Sequence, residues 1–255
     1  MTAATSRSAV DNAAPWQSVA SAVVAGSVVV GGVCYALAAT GSIRLTTPVA
    51  GSVVGAFLLY TSVVGAAVTN ATRTAGPQRL TLATWLTLAR GWLLVLFVGV
   101  AVGLAEPPVS WLVVGLFVGS AAGDVADGWV ARHTDTVTAL GARLDTETDA
   151  LLVLVGAVAA VGIGTVPAVF LAVGLARYAF VAGVAIRRTR DKPVFDLQPS
   201  RFRQVTGAVI MATIAVALVP PIDPVISRAI AWVVTVPILV HFLWDWLAVS
   251  GRTSR

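Results

Sequence analysis

Asp124 and Asp127 stand three residues apart, and Asp145 and Asp149 four apart. On a helix, either spacing puts both side chains on one face. Six of the twelve acidic residues fall between Asp124 and Asp149, in a chain with only 11% charged residues. Carboxylates gathered this closely repel one another and resist ionisation unless a cation joins them. A hard divalent cation meets that need, with oxygen ligands at about 2.0–2.6 Å. Mg2+ also keeps positions for phosphate oxygens, so the chemistry open to this cluster is metal-assisted transfer at a diphosphate. Gly128, Ala131 and Gly141 lie along the same faces and leave room for a ligand to approach the backbone. Arg132 adds a cationic fork suited to phosphate. Asp135, Arg143 and Glu147 read as loop, interface or helix-surface charges.

The elements that hold these residues are apolar helices. Of the 255 residues, 57% are hydrophobic, and the mean hydropathy is +0.88. A soluble domain carries about 25% charged residues, so this chain lacks the polar surface to face water all round. A bilayer core takes about 20 apolar residues per helical crossing. Eight segments approach or exceed that length, at 18–40, 47–69, 85–105, 109–131, 143–164, 166–188, 203–220 and 224–249. The first is too long for a signal peptide and ends in no small-residue cleavage site. Short links such as 106–108 and 220–224 carry prolines, which end helices. They make the helices antiparallel neighbours in a bundle. The segment 76–84 is expected to lie along the membrane interface as a short amphipathic turn.

Arginine placement orients the bundle. Arg73, Arg79, Arg132, Arg143, Arg187, Arg188, Arg190, Lys192, Arg201, Arg203, Arg252 and Arg255 gather on one set of loops and helix ends. The opposite set holds little beyond Arg44, Glu106, Asp223 and Arg228. Positive charge stays inside, so both termini and the acidic cluster are expected on the cytoplasmic face of a cell membrane. Loop charge of this kind accounts for the net +5 without a nucleic-acid partner. Cys34 is the single cysteine, so no internal disulfide forms.

The run from Asp124 to Asp149 reads D-x-x-D-G-x-x-A-R, eight residues, then G-x-x-x-D-x-x-x-D. It resembles the signature of the CDP-alcohol phosphatidyltransferase family at every fixed position. The resemblance implies an all-α, polytopic membrane helical bundle with a six-helix catalytic core over 76–255. Two N-terminal transmembrane helices, within 1–75, form an appendage outside it. It also implies a prokaryotic integral membrane enzyme, commonly a homodimer, with Mg2+ as cofactor, Mn2+ as a substitute and two ions in all. Asp124, Asp127, Asp145 and Asp149 are the implied metal ligands, and Asp149 the implied base. Gly128, Ala131, Arg132 and Gly141, with Asp127, are expected along the CDP moiety. Upstream, Thr84-Trp85-Leu86-Thr87-Leu88-Ala89-Arg90 is similar to the family's N-x-x-T-x-x-R, with Thr84 in place of Asn. Thr87 and Arg90 are therefore expected at the nucleotide, and Thr84 serves equally as an interface cap.

The implied reaction is attack of a small alcohol on the lipid-linked phosphorus of a CDP-linked lipid, with release of CMP. For the acceptor, Arg177, Arg187, Arg201 and Arg203 form a candidate subsite for a phosphorylated polyol such as glycerol phosphate or inositol phosphate. Arg203-Gln204-Val205-Thr206 resembles a K-x-x-T element of several family members, and positive-inside topology accounts for the same arginines. Arg177 stands deeper in its helix, where a charge is costly and marks function. Asp245 is placed to pair with an arginine. Two other classes use acidic clusters: an intramembrane prenyltransferase, with two such motifs on separated helices, and a non-enzymatic divalent cation transporter, with sites near the midplane and within repeats.

Overall fold

The computed structural model describes residues 2–76, 78, 80–103, 111–133, 137–195, 197 and 201–252. Side chains at 2–15, 125, 127, 131, 132, 201 and 204 lie outside the description. The described residues form eight long helices and one 3₁₀ turn, with no strand among them. This is a polytopic helical membrane protein. The helices are α1 (Thr2–Ala39), α2 (Thr47–Ala75), α3 (Leu82–Gly103), α4 (Trp111–His133), α5 (Ala139–Gly162), α6 (Leu171–Thr189), α7 (Arg201–Leu218) and α8 (Pro224–Val249).

Among the described residues, six helices carry a stretch long and apolar enough to cross a bilayer, in α1, α2, α3, α4, α6 and α8. The other two differ for separate reasons. The first half of α5 carries Arg143, Asp145, Glu147 and Asp149, too many charges for an apolar crossing. The apolar part of α7 runs only over Val205–Leu218. Helix ends follow local chemistry. Thr81 caps α3, its Oγ1 accepting from Thr84 N at 3.3 Å, and Thr138 caps α5 by accepting from Gly141 N at 3.0 Å. Asp223 caps α8 through Val225 N at 2.7 Å. Each acceptor satisfies one of the backbone donors a helix leaves orphaned at its start. The cap of α3 shows that the segment expected to lie flat at 76–84 already turns into helix at Leu82; Pro77 and Arg79 of that segment lie outside the described residues.

The chain divides into two compact units, Met1–Leu152 and Val153–Arg255. In the first, α3 is the buried centre, contacted by α1, α2 and α4. Leu94, Val95, Phe97 and Val100 are almost fully covered. Lipid tails are as apolar as these side chains, so close backbone approach and polar bonds drive the packing. Gly91 of α3 lies under the ring of Tyr60, Gly99 under Val53, and Gly103 under Ile43 and Val49. Gly26 of α1 is covered by Trp92 in the same way. A β-carbon at Gly26, Gly91 or Gly99 would collide with its neighbour. In the second unit, α8 packs against α6 and α7. Gly183 of α6 receives the Trp246 ring of α8, and Arg228 ties α8 to the turn after α5 by two bonds to Gly164 O, at 3.1 and 2.7 Å.

Candidate active site

Ser120, Gly123 and Asp124 share one face of α4, because they lie three and four residues apart. That face meets Arg90 of α3. The Arg90 side chain is 3% exposed, and its stem lies against Gly123, where a β-carbon would overlap it. Its Nε donates to Ser120 O at 2.9 Å, and Ser120 Oγ returns a bond to Arg90 O at 3.3 Å. The guanidinium fork is thereby aimed before it meets any acid. Nη1 donates to Asp145 Oδ1 at 2.8 Å and Nη2 to Asp149 Oδ1, both on α5. Nη1 also stands 3.6 Å from Asp124 Oδ1.

Three carboxylates thus converge on one buried cation while staying partly open to the outside, with side chains 40%, 36% and 29% exposed for Asp124, Asp145 and Asp149. Each can offer an oxygen such that these atoms lie within 4.8 Å of one another. That donor set, hard, anionic and open on one side, fits a divalent cation with phosphate oxygens as further ligands. Arg90 cancels part of the mutual repulsion from behind. The expectation of two acidic faces meeting across α4 and α5 holds for these three residues. The fourth, Asp127, has its side chain outside the described residues, as do Ala131 and Arg132.

The start of α5 is held by more than its cap. Leu140 N donates to Gln78 Oε1 at 2.9 Å, so the link before α3 satisfies a second orphan donor of α5. Gly141 sits where the hydroxyls of Thr138 and Thr84 leave little space for a β-carbon. Thr84 is buried beside Thr81 Oγ1 at 3.0 Å, so it joins the α3 cap and packs toward α5. Thr87 is buried, its Oγ1 bonded to Ala83 O at 3.1 Å. Gly128 lies half-buried on α4. Ser120, Gly123 and Gln78 carry no motif in the sequence. The signal that reaches Ser120 is its place one turn before Asp124 on an apolar helix.

A second polar cluster lies in the unit Val153–Arg255. Asp245 of α8 is buried, its side chain 5% exposed, and its Oδ2 stands 3.3 Å from Arg203 Nη1 and 3.4 Å from His241 Nε2. These three residues, with Arg177, Thr206 and Phe180, are among those lining a cavity of about 280 Å³. The Arg203 and His241 side chains are 30% and 15% exposed. Arg187 is engaged elsewhere: it donates to Pro193 O at 3.2 and 2.8 Å and to Ser250 O at 3.2 Å, fastening the ends of α6 and α8. Arg201 has its side chain outside the described residues. The structure therefore brings Arg177 and Arg203 to one cavity and turns Arg187 to backbone carbonyls.

The family model described as CDP-alcohol phosphatidyltransferase matches residues 80–242, which span α3 to most of α8 and leave α1 and α2 outside. Comparison with curated proteins gives no match.

Proposed function

The chain belongs to the CDP-alcohol phosphatidyltransferase family, and on that premise we propose that it moves a phosphatidyl-type or archaetidyl-type group from a CDP-linked lipid to a small alcohol in phospholipid biosynthesis. The acceptor oxygen bonds to the lipid-linked phosphorus, the bond from that phosphorus to the bridging oxygen breaks, and CMP leaves. The observation that carries this reading is the convergence of Asp124, Asp145 and Asp149 on one open face.

These three residues, with Asp127 one turn along α4 from Asp124, would hold the metal. A divalent cation bound there, Mg2+ with Mn2+ as substitute and two ions in all, would supply positive charge against the negative charge of the diphosphate. The chain's own residues do the remainder. Asp149 takes the acceptor's hydroxyl proton, and Arg90 orients its carboxylate through Oδ1. Gly128, Ala131, Arg132 and Gly141, with Asp127, line the way for the CDP moiety, while Thr87, buried and bonded to Ala83 O, supports that end of α3 from within instead of lining it. Arg90, fixed to Ser120 O and to two of the acids, serves the nucleotide end by arranging the acids that would hold the metal.

Arg203 and Arg177, on the wall of the cavity in the second unit, receive the phosphate of an acceptor such as glycerol phosphate or inositol phosphate, with Arg201 and Arg187 nearby in sequence. Arginine suits this task because its planar fork bonds two phosphate oxygens at once. The positive-inside pattern supports both termini and the site on the cytoplasmic face, and the family resemblance supports a prokaryotic cell membrane and a homodimer. The family match also supports transferase chemistry over a prenyltransferase or a cation transporter.

The test is CMP release by the purified full chain, supplied with labelled CDP-diacylglycerol or its ether-linked analogue and a panel of alcohols. Release that requires both Mg2+ and an acceptor, fastest with a phosphorylated polyol, is the expected result. No release with any acceptor at any Mg2+ concentration sinks the reading.

A further inference from the structure

The helix α2 lies outside the family match, yet one of its side chains reaches the backbone directly beside Arg90. Tyr60 is 1% exposed. Its hydroxyl donates to Leu88 O at 3.2 Å and lies 3.5 Å from Thr87 O. Its ring lies on Gly91, where any β-carbon would strike it, and meets the Trp92 ring edge-on at 5.1 Å between centroids. Four consecutive and near-consecutive positions of α3, 87, 88, 91 and 92, are thus held by one residue of α2, and Arg90 stands among them.

A tyrosine hydroxyl so deep in an apolar interface costs free energy unless it is bonded. Position Leu88 already accepts a helix bond, so the hydroxyl makes a second bond to a carbonyl that does not need it for helix formation. What the arrangement fixes is the rotation and depth of α3 at Arg90. The guanidinium then has only a short, clamped path to the acids: its stem is held by Gly123 and its Nε by Ser120 O. A small rotation of α3 would shift every bond from the fork to Asp145 and Asp149 together.

We propose that Tyr60 is a positioning residue for the acidic centre, so that helix α2 forms part of the catalytic scaffold. The inference rests on the reading of Asp124, Asp145 and Asp149 as metal ligands. Groups behind a metal site change its affinity by about 10–100-fold when removed. Tyr60 acts one step further back, through Arg90, so the expected effect is smaller, about three- to tenfold.

The probe is Mn2+ alone, titrated into the purified full chain and followed by electron paramagnetic resonance of the free ion. Tyr60→Phe keeps the ring and removes the hydroxyl. Gly91→Ala keeps the hydroxyl and displaces the ring. Each variant is compared at a temperature well below its own thermal midpoint, with Leu58→Ala on the exposed face of α2 as control. Weaker Mn2+ binding by about three- to tenfold in a folded Tyr60→Phe or Gly91→Ala protein, with Leu58→Ala unchanged, supports the proposal. A merely structural role lowers the thermal midpoint without moving the Mn2+ affinity of the folded protein, and that result overturns it. If the wild type binds Mn2+ and Asp145→Asn does not, wild-type affinity in both variants removes Tyr60 alone. If the wild type and Asp145→Asn bind alike, the metal reading falls and this inference with it.

Discussion

The two polar clusters are built with opposite signs on the same plan. In the first unit a buried cation, Arg90, holds three half-exposed acids. In the second a buried acid, Asp245, holds a more exposed arginine and a histidine. In each, the covered partner aims the others and does not itself face outward. The difference in sign teaches what each face can take. An outward row of carboxylates attracts cations, and an outward arginine attracts anions. The proposed reaction would use the first for a metal-bound diphosphate and the second for a phosphorylated acceptor.

Five variants would break or sharpen this contrast. The largest effect belongs to Asp149→Asn, which removes the base and a ligand while preserving shape; turnover should fall by about 10³-fold. Near-normal turnover in a steady-state CMP assay would take Asp149 out of the mechanism. Next comes Arg90→Met, which leaves three neighbouring acids and the Ser120 carbonyl without their buried partner. Because the acids left behind are partly solvated, the loss should be about 1–3 kcal/mol, seen as a lower thermal midpoint in metal-free buffer. The loss should shrink when Mg2+ is added, because the ion supplies the missing charge. A midpoint unaffected by Mg2+ would mean that the three acids do not act as one site.

The basic cluster should respond in binding more than in rate. Asp245→Asn frees Arg203 from its partner and is expected to raise the acceptor KM by about tenfold, the worth of one charge-assisted bond. Arg203→Ala should do the same, and the KM for the CDP-lipid should stay near its original value in both. Equal changes in the two KM values would assign the arginine to topology instead of recognition. The smallest effect is that of Thr138→Ala, which removes the α5 cap for about 1 kcal/mol of stability. Differential scanning fluorimetry should show a modest midpoint shift with kcat nearly intact, since Gln78 still holds Leu140 N.

Much of the fold is legible in hydropathy. Each of the eight apolar segments becomes a helix, and the edges move outward where polar capping turns are helical without being apolar, as at Leu82 and Ala139. The acids of the motif are legible too, because spacings of three and four on a helix need no knowledge of neighbours. Arg90 was visible only as part of a weaker motif, and its acids lie 55 and 59 residues away. An arginine inside an apolar helix does announce that it needs a partner. It does not say which one. Gln78 and Tyr60 give no signal, since a glutamine or a tyrosine in such a context is ordinary, and Ser120 gives only its place one turn before Asp124.

The sequence alone determined that the chain crosses membranes as helices and that its acids lie on two short faces, because both follow from periodicity and composition along one helix at a time. The tertiary structure decided that Arg90 stands behind those acids, that Asp245 holds Arg203, and that Tyr60 steadies α3 from α2. Those pairings depend on how far each helix is rotated and how deep it sits against its neighbour. Glycine contacts and interhelical bonds set both quantities in three dimensions, and no pattern within a single segment encodes them.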